Sequence, residues 1–542
     1  MTRKGFSSFP LSSSSFTMSP SRLSSTSLLL RLSYLILSLW LCQPSYTVTA
    51  DVATATTTAQ QIDVEDETCA WNDADCAGRS AKDMVPIQVN LPNNNNNNNT
   101  TFMAYVTPDV STFYQEAPGT RKARVPAFQG LFGKFINLSK QRVQVFWDAG
   151  RGKDPAYIAD IDAFGSASTA TFPGHRFFVF PVGNTKTKLT TWDVVGSTSL
   201  YIYDPYDQDG TTGSQLNQLT DKERAGYDLQ KNNLLFNEQY KAVTGREYLS
   251  LYPFRKTVLH PLWPADYFGQ EHTVSTAETH FASMPPDRSL RAIKHQLPYK
   301  RHLPEYRIPG DTMNMTLKAL SCAPRVFEID NFLSTAEVQH ILELATGMKL
   351  DQSTTKAGST GNSRVDDSTR TSRNAWVRRE QSPVVDAIYR RAADLMRMDE
   401  SYLRSRHASE TVYGKDVLSN LNSNAEQLQL VHYGVGQQYT PHHDFVVPSV
   451  SDKGQPMRYA TILFYLNEGM KGGQTAFPRW KNGHTSNQLL VEPKVGKAVL
   501  FYNLLPDGNM DDLSQHAALP VTSGEKWLIN LWTWDPMMRH FY

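Results

Sequence analysis

Residues 433–444 read Tyr-Gly-Val-Gly-Gln-Gln-Tyr-Thr-Pro-His-His-Asp and end in a His-x-Asp pattern formed by His442 and Asp444. Another histidine, His516, follows far along the chain. Two histidines and one carboxylate are the ligand set of a facial iron(II) triad, which leaves three metal positions open for substrate and oxygen. The pattern therefore predicts a metal site made by His442, Asp444 and His516.

Alternation along a strand decides which of the neighbouring histidines join this site. Side chains two positions apart point to the same face, so His442 and Asp444 can bind one ion together. His443 lies between them and points to the opposite face. We therefore assign neither His443 nor His432 to the metal.

Lys526 lies ten positions after His516 and completes the set. A compact ammonium at the end of a pocket suits the far carboxylate of a bound dicarboxylic acid. Taken alone, His442 would be a structural histidine, Asp444 a turn residue and Lys526 a solvated charge. Their joint occurrence favours a function for all of them.

Composition bounds the remainder of the molecule. The chain has 542 residues, more than one hydrophobic core usually organises, so at least two domains are expected. Its formal net charge is +1, and the sequence has no clustered basic segment. Binding to nucleic acid or to an anionic membrane surface is therefore not favoured.

Residues 1–50 have the character of a secretory signal. They contain no Asp or Glu, carry basic residues before an uncharged run from Leu32 to Cys42, and end in Val48-Thr49-Ala50, a cleavage-type sequence. An uncleaved signal anchor is the alternative, although the uncharged run is shorter than the roughly 20 residues of a spanning helix. Either way the expected location is the endoplasmic reticulum lumen or the secretory pathway, soluble or with a single anchor.

Cysteines and glycosylation sequons agree with that location. Cys69 and Cys76 lie close enough in sequence for a short-loop disulfide, whereas Cys322 reads as a buried apolar residue. The Asn-x-Ser/Thr pattern, which marks a glycoprotein only in a secreted chain, occurs at Asn98, Asn99, Asn137 and Asn314.

Changes in composition divide the rest of the chain. We predict a low-complexity linker at 51–101, which includes the run of asparagines, and a small β-sandwich at 102–215, where short β-branched and aromatic runs alternate with Gly and Pro. A helical and then irregular connector is expected at 216–319, with helical periodicity near Tyr227 to Val243. The catalytic module is expected at 320–542.

Local signals place the first elements of that module. Residues 326–333 alternate like a strand, and Ser334 with Glu337 forms a capping box at the start of a helix. A second helix is expected from about Ser382 to Met398. The predicted fold class is mainly β with α, a C-terminal double-stranded β-helix (jelly roll) with flanking helices, preceded by the small β-sandwich.

Residues 320–536 resemble the catalytic domain of the prolyl 4-hydroxylases, a branch of the Fe(II)/2-oxoglutarate dioxygenases built on the double-stranded β-helix. The resemblance rests on short sequence motifs that occur in the same order as in the family and extend over about two-fifths of the chain. These motifs are Pro324-Arg325-Val326-Phe327, Asp330-Asn331-Phe332-Leu333, Arg370-Thr371-Ser372, Tyr433 through Asp444, Arg458-Tyr459-Ala460-Thr461, Tyr465-Leu466-Asn467, Gly472 through Pro478, His516 and Gly524-Glu525-Lys526-Trp527.

The resemblance implies a procollagen-proline 4-dioxygenase-like enzyme that uses iron(II), 2-oxoglutarate as co-substrate, O2 and L-ascorbate. By this resemblance Lys526 pairs with the far carboxylate of 2-oxoglutarate, while Tyr433 and Thr475 donate hydrogen bonds to it. The implied reaction is hydroxylation of peptidyl proline to 4-hydroxyproline in secretory-pathway proteins, coupled to decarboxylation of 2-oxoglutarate to succinate and CO2.

Three further residues are candidates for contact with the peptide substrate: Arg458, Tyr439 and Trp532. An Arg and aromatic surfaces suit backbone carbonyls and proline rings, although core packing explains Trp532 equally well. The expected partner is a proline-containing protein, with membrane contact only through an N-terminal anchor.

Two other functions remain open from sequence. A lysyl or other protein hydroxylase would share the triad and the lysine, and a hydroxyproline-binding scaffold protein would depend on the β-sandwich. That segment resembles the β-domain of the von Hippel-Lindau tumour suppressor at Phe135 through Ser139, Val145-Phe146-Trp147 and Gly174-His175. The resemblance implies binding of a hydroxyproline-bearing peptide, and an accessory domain that only packs against the catalytic domain is the alternative.

Overall fold

The structure is a computed structural model. It describes residues 85–91, 100–106, 130–150, 152–196, 198–207, 216–249, 262–284, 303–356, 363–364, 369–405, 423–445, 457–480 and 489–534. The predicted signal, Cys69, Cys76 and the sequons at Asn98 and Asn99 lie outside these residues. Within them, no helix is both long and apolar enough to cross a membrane.

The first two strands form an antiparallel hairpin of β1 (Val85–Leu91) and β2 (Thr100–Val106). The prediction of a linker over 51–101 is therefore wrong for 85–91. The prediction followed the run of asparagines and overlooked the period of a strand before it. Apolar residues occur there at every second position, namely Val85, Ile87, Val89 and Leu91.

The predicted β-sandwich is present as two sheets. Its strands are β3 (Leu131–Asn137), β4 (Val143–Trp147), β5 (Ala156–Ile161), β6 (Ser166–Thr171), β7 (Arg176–Pro181), β8 (Thr190–Asp193) and β9 (Leu200–Tyr203). One sheet has the order β6-β3-β9 and the other β5-β4-β7-β8. The β3–β9 pair is parallel, and the other strand pairs of the sandwich are antiparallel. Phe135 and Trp192 stack in the core between the sheets, with 5.1 Å between ring centroids.

The Asn137 side chain of one sequon is buried in this sandwich, where it forms hydrogen bonds with neighbouring loops. Asn137 is fully buried, and its Nδ2 donates to the carbonyls of Gln141 and Asp162 at 2.8 and 2.9 Å. Its Oδ1 accepts from the Ser139 hydroxyl at 2.7 Å. The amide is therefore inaccessible to a glycosyltransferase in the folded protein, whereas Asn314 is exposed.

After the sandwich comes the helix α1 (Asp221–Thr244), which contains the predicted helical segment. Thr220 and Glu223 form a capping box at its start, and Gly245 ends it in the left-handed conformation. The helix lies between the sandwich and the catalytic part of the chain and contacts both.

The prediction of an irregular connector up to 319 is wrong for two segments. The strands β10 (Glu271–Thr276) and β11 (Met313–Cys322) pair with each other, and β11 pairs with β12 (Arg325–Ile329). All three belong to the large catalytic sheet. Met315, Leu317 and Ala319 are buried alternately with exposed residues, so a strand period was present in the sequence upstream of Cys322.

Two helices cover the outer face of this sheet. The helix α2 (Thr335–Thr346) begins with the predicted capping box of Ser334 and Glu337, and α3 (Pro383–Leu395) begins at the N-cap Ser382. Glu337 also pairs with Arg391 of α3 at 2.8 Å, both side chains being fully buried. The pair joins the two helices. Short 3₁₀ helices occur at Pro304–Tyr306, Arg379–Gln381, Glu400–Leu403 and Asp512–Ser514.

The remaining strands complete a jelly roll. They are β13 (Asp351–Gln352), β14 (Thr355–Lys356), β15 (Ser363–Arg364), β16 (Arg373–Val377), β17 (Leu428–Tyr433), β18 (Tyr439–His442), β19 (Arg458–Tyr465), β20 (Lys471–Gly472), β21 (Thr475–Phe477), β22 (Leu489–Val491), β23 (Ala498–Tyr502), β24 (His516–Ala518), β25 (Val521–Ser523) and β26 (Lys526–Trp534).

The large sheet has the order β10-β11-β12-β23-β19-β26-β17-β16-β13, and a smaller sheet has the order β18-β24-β21-β22. Buried side chains from both sheets, such as Leu463, Phe477 and Phe501, form a common core. The predicted double-stranded β-helix with flanking helices is therefore confirmed. His442 and His516 lie on the smaller sheet, Asp444 follows the end of β18, and Lys526 lies on the larger sheet.

Candidate active site

Strand pairing brings the three predicted metal ligands together. His442 ends β18 and lies directly opposite His516, the first residue of β24. Asp444 lies two residues after His442, beyond the end of β18. The prediction that the two side chains bind one ion together therefore paired the right residues, although only His442 is in the strand. The His516 Nε2 and Asp444 Oδ2 atoms are 3.4 Å apart, and His442 Nε2 lies 3.8 Å from Asp444 Oδ1.

Hydrogen bonds orient both imidazoles. His442 Nδ1 contacts the Thr440 carbonyl at 2.8 Å, and His516 Nδ1 contacts the Ser514 carbonyl at 3.0 Å. A carbonyl only accepts, so each Nδ1 carries the proton and each Nε2 keeps its lone pair. The two Nε2 atoms and a carboxylate oxygen lie within 4.8 Å of one another. This is the donor arrangement that a single cation requires.

The Asp444 carboxylate is held from its other side. Its Oδ2 accepts from the Thr461 hydroxyl and from the Trp532 indole nitrogen, both at 2.8 Å. Asn503 Nδ2 in turn donates to the Thr461 hydroxyl at 3.0 Å. These bonds fix the carboxylate and leave Oδ1 turned toward His442.

Burial and charge set protonation states that suit a metal. Burial lowers the pKa of His442 well below its usual value, and the neighbouring His516 lowers it further. Burial alone would raise the pKa of Asp444, but His516 and His442 hold that pKa well below its usual range. Neutral imidazole and ionised carboxylate are the forms that ligate. Two nitrogens and one carboxylate with open positions fit iron(II).

A cleft of about 390 Å³ leads from the triad to Lys526. Lys526 is fully buried, and burial lowers the pKa of its ammonium to about 7. Its Nζ has no hydrogen-bond partner among the described residues. An anion in the cleft would stabilise the ammonium form, so the residue fits the far carboxylate of 2-oxoglutarate.

The two residues predicted beside Lys526 are also in the cleft. The Tyr433 ring centroid is 5.6 Å from Lys526 Nζ. The Thr475 hydroxyl accepts from the Tyr465 hydroxyl at 2.8 Å, so its own proton is free to be donated elsewhere. The structure thus gathers Lys526, Tyr433 and Thr475 at one end of the cleft, and their contacts with 2-oxoglutarate stay predictions.

Of the three predicted substrate residues, Tyr439 and Trp532 line the other end of the cleft, and Arg458 contacts Trp532. Tyr439 stacks on the His442 ring with 3.5 Å between centroids, and Trp532 bonds to Asp444 as described. The Arg458 guanidinium lies 3.9 Å from the Trp532 ring centroid and makes two hydrogen bonds to Glu426, at 2.6 and 3.0 Å. Glu426 was not predicted.

Arg370 is a cleft residue that sequence reasoning did not assign. It is buried, lies 4.6 Å from the Tyr439 ring centroid, and donates to the Gln429 side-chain oxygen at 3.1 Å. Its position in the Arg370-Thr371-Ser372 motif was the available signal. His432 and His443, which were not assigned to the metal, lie outside the triad and bond to Glu525 and to the Asp512 carbonyl.

Comparison with known proteins agrees with this geometry. Residues 428–534 match the model of the 2OG-Fe(II) oxygenase superfamily, a range that contains every predicted site residue. The probable prolyl 4-hydroxylase 3 of Arabidopsis thaliana is 32% identical over 227 residues, 40% of this chain and 71% of that protein. The prolyl 4-hydroxylase subunit alpha-1 of Gallus gallus is 35% identical over 213 residues, 39% of this chain and 35% of that protein.

Among solved structures, the 2OG complex of a viral collagen prolyl hydroxylase from Paramecium bursaria chlorella virus 1 is 23% identical. The match covers 39% of this chain and 95% of that one, and its TM-score of 0.27 supports no conclusion.

The jelly roll, the triad and the superfamily match define an Fe(II)/2-oxoglutarate-dependent dioxygenase. Within that class, the likeness to the curated relatives shows that the chain belongs to the prolyl 4-hydroxylase family. Membership implies iron(II), 2-oxoglutarate, O2 and ascorbate as cofactors.

Proposed function

We propose that this chain hydroxylates peptidyl proline to 4-hydroxyproline. The observation that carries the proposal is the triad of His442, Asp444 and His516 in one cleft with a buried lysine that has no hydrogen-bond partner among the described residues. The relatives' names support proline as the target. The wall of aromatic and arginine side chains next to the triad suits a peptide with proline rings.

The chain's own residues bind and orient the reactants. His442, Asp444 and His516 would hold iron(II), which supplies activation of O2 when bound. Lys526 pairs with the far carboxylate of 2-oxoglutarate, while Tyr433 and Thr475 donate hydrogen bonds to the co-substrate. Burial of these groups excludes water from the reaction.

The proposed stoichiometry balances. One O2 and one 2-oxoglutarate convert one proline C–H to C–OH, giving succinate and CO2, with one oxygen atom in the hydroxyl and the other in succinate. Ascorbate is the proposed reductant that returns the metal to iron(II) after turnovers that do not hydroxylate a peptide.

The direct test offers proline-rich and lysine-bearing peptides to the full chain with iron(II), 2-oxoglutarate and ascorbate, with His442→Ala as the control variant. We expect a mass gain of about 16 on proline, lost in the variant, from insertion of one oxygen. Modified lysine would instead select the lysyl hydroxylase alternative. Absence of iron-dependent succinate formation would reject the enzyme.

We further propose that the enzyme works in the secretory pathway, on secreted or wall-type proteins, as a soluble or singly anchored glycoprotein. Two features support this: residues 1–50 contain no Asp or Glu, and the sequon at Asn314 is exposed. Expression of the full chain followed by glycosidase treatment tests it. A mobility shift that Asn314→Gln reduces is the expected result, and a cytosolic, unglycosylated product would contradict it.

The β-sandwich supports one second proposal, binding of hydroxyproline peptides. His175 Nδ1 and the Thr171 hydroxyl are 3.1 Å apart, next to Trp147, whose buried indole nitrogen has no hydrogen-bond partner in the described part of the chain. Binding of proline and hydroxyproline peptides to the full chain and to His175→Ala would test this. Equal binding of both peptides would reject it.

A further inference from the structure

The two segments that carry the metal ligands meet away from the metal, at Asp512. His443, between ligands His442 and Asp444, places its Nε2 3.1 Å from the Asp512 carbonyl and 3.3 Å from the Asp512 carboxylate. Asp512 opens the short 3₁₀ helix that precedes the third ligand, His516. Contacts of Asp512 with His443 therefore tie both ligand segments together.

The β-sandwich reaches this meeting point through one residue of β3. The Phe132 backbone N–H donates to Asp512 Oδ1 at 2.8 Å, across 380 positions of sequence. The Phe132 ring packs edge-on against His443 and Phe445, with centroid distances of 5.7 and 4.7 Å. The ring is buried in the catalytic core, whereas Phe135, three positions later, belongs to the core of the sandwich.

The end of α1 holds the same loop from the other side. The Tyr240 hydroxyl donates to Asp507 Oδ2 at 2.8 Å and accepts from Asn509 Nδ2 at 3.1 Å. Arg246 pairs with Asp511 at 3.1 Å. These buried contacts fix residues 507–511, immediately before the segment that ends in His516.

We propose that Phe132 and Tyr240 are positioning residues for the metal site, so that the sandwich and α1 form a structural part of the active centre. His443 lies between two ligands in sequence, so displacement of its backbone moves both of their side chains. Loosening residues 507–512 moves the third ligand. Metal affinity responds strongly to groups that orient ligands without touching the metal. The inference rests on the proposed triad.

The test measures the affinity of the full chain for Co(II), which stands in for iron(II) and is followed by its visible absorption. Phe132→Leu is compared with Phe135→Leu, the same substitution in the same strand. Both remove a buried ring, but only Phe132 contacts the ligand segments. We expect about tenfold weaker binding for Phe132→Leu and a change below about twofold for Phe135→Leu.

Tyr240→Phe is the second variant, because it removes only the hydroxyl that contacts Asp507 and Asn509 and keeps the buried ring. We expect weaker Co(II) binding and faster amide exchange in residues 507–516, with the exchange of the sandwich strands unchanged. Denaturation midpoints of all variants separate loss of affinity from loss of stability.

Two controls distinguish the possible failures. If His516→Ala binds Co(II) as tightly as the unchanged protein, the triad itself is wrong. If His516→Ala loses binding but Phe132→Leu and Phe135→Leu have equal affinities, and Tyr240→Phe has no effect, the triad stands and the positioning role is overturned.

Discussion

The two ends of the cleft differ in whether the positively charged side chain there has a hydrogen-bond partner. At the closed end, Lys526 is fully buried, and its ammonium has no hydrogen-bond partner among the described residues. Tyr439 and Trp532 line the other end, called the open end, and the Arg458 guanidinium next to it is paired with Glu426 and stacked on Trp532. Lys526 lines the same cleft as the three ligands, and Arg458 contacts that cleft through Trp532.

The difference indicates what each end is prepared to bind. An unpaired buried ammonium destabilises the empty protein and is compensated only when a ligand supplies an anion. A paired and stacked guanidinium has its charge compensated already and offers a flat surface and remaining N–H donors. The closed end thus suits a carboxylate, and the open end suits a neutral peptide.

The largest expected effect is at the closed end. Lys526→Met should weaken 2-oxoglutarate binding by about 100-fold, because truncating one partner of a buried charge pair costs about 2–5 kcal/mol. The thermal midpoint of the unliganded protein should not fall, since the variant removes a desolvated charge. Calorimetric titration with Mn(II) in place of iron, and thermal unfolding, measure the two quantities.

Arg458→Met is the matched control for that prediction. It should leave 2-oxoglutarate affinity within about twofold, because its charge is already paired. Equal losses of 2-oxoglutarate affinity in the two variants would show that the ends of the cleft do not differ.

The pH dependence of 2-oxoglutarate binding sharpens the same comparison. The pKa of Lys526 is about 7 in the empty site, and a bound carboxylate raises it, so binding above pH 7 takes up a proton. Affinity should therefore be highest below pH 7 and fall roughly tenfold per pH unit between about pH 7.5 and 9. Calorimetry in buffers of different ionisation enthalpy measures the proton uptake.

A variant that keeps its charge at every pH provides the control. Lys526→Arg should bind 2-oxoglutarate with little pH dependence above pH 7.5, whatever its absolute affinity. A fall with pH of the same steepness in Lys526→Arg would assign the dependence to another group.

A smaller effect is expected where the open end meets the metal. Trp532→Phe removes the N–H that donates to Asp444 and keeps an aromatic surface under Arg458. Metal affinity should fall about tenfold, as for other groups that orient a ligand. Co(II) titration measures it, and an unchanged affinity would restrict Trp532 to packing.

The smallest expected effect is a change in the KM for the peptide substrate alone. Glu426→Gln removes the charge that orients Arg458 and should raise the KM for a proline peptide about fivefold, roughly 1 kcal/mol for a partly exposed pair. The KM for 2-oxoglutarate should not change. Steady-state kinetics with each substrate varied in turn would show whether the effect is confined to the open end.

The sequence by itself determined the chemistry of the centre. Metal-binding groups are few in kind, so His442, Asp444, His516 and Lys526 could be chosen from residue type and spacing. The capping box at Ser334 and the helical periodicity near Tyr227 to Val243 are also local signals. The jelly roll was predicted from the short motifs that the chain shares with the prolyl 4-hydroxylases, because these motifs occur in the order of the strands.

Only the tertiary structure decided which side chains are partners. Glu426 meets Arg458 across 32 positions, His443 meets Asp512 across 69, and Phe132 meets Asp512 across 380. Periodicity tells which face of a strand a residue occupies, but not which distant segment packs on that face. The same reason hid β10, whose place in the sheet depended on β11 lying beside it, whereas the strand period of β11 was present in the sequence.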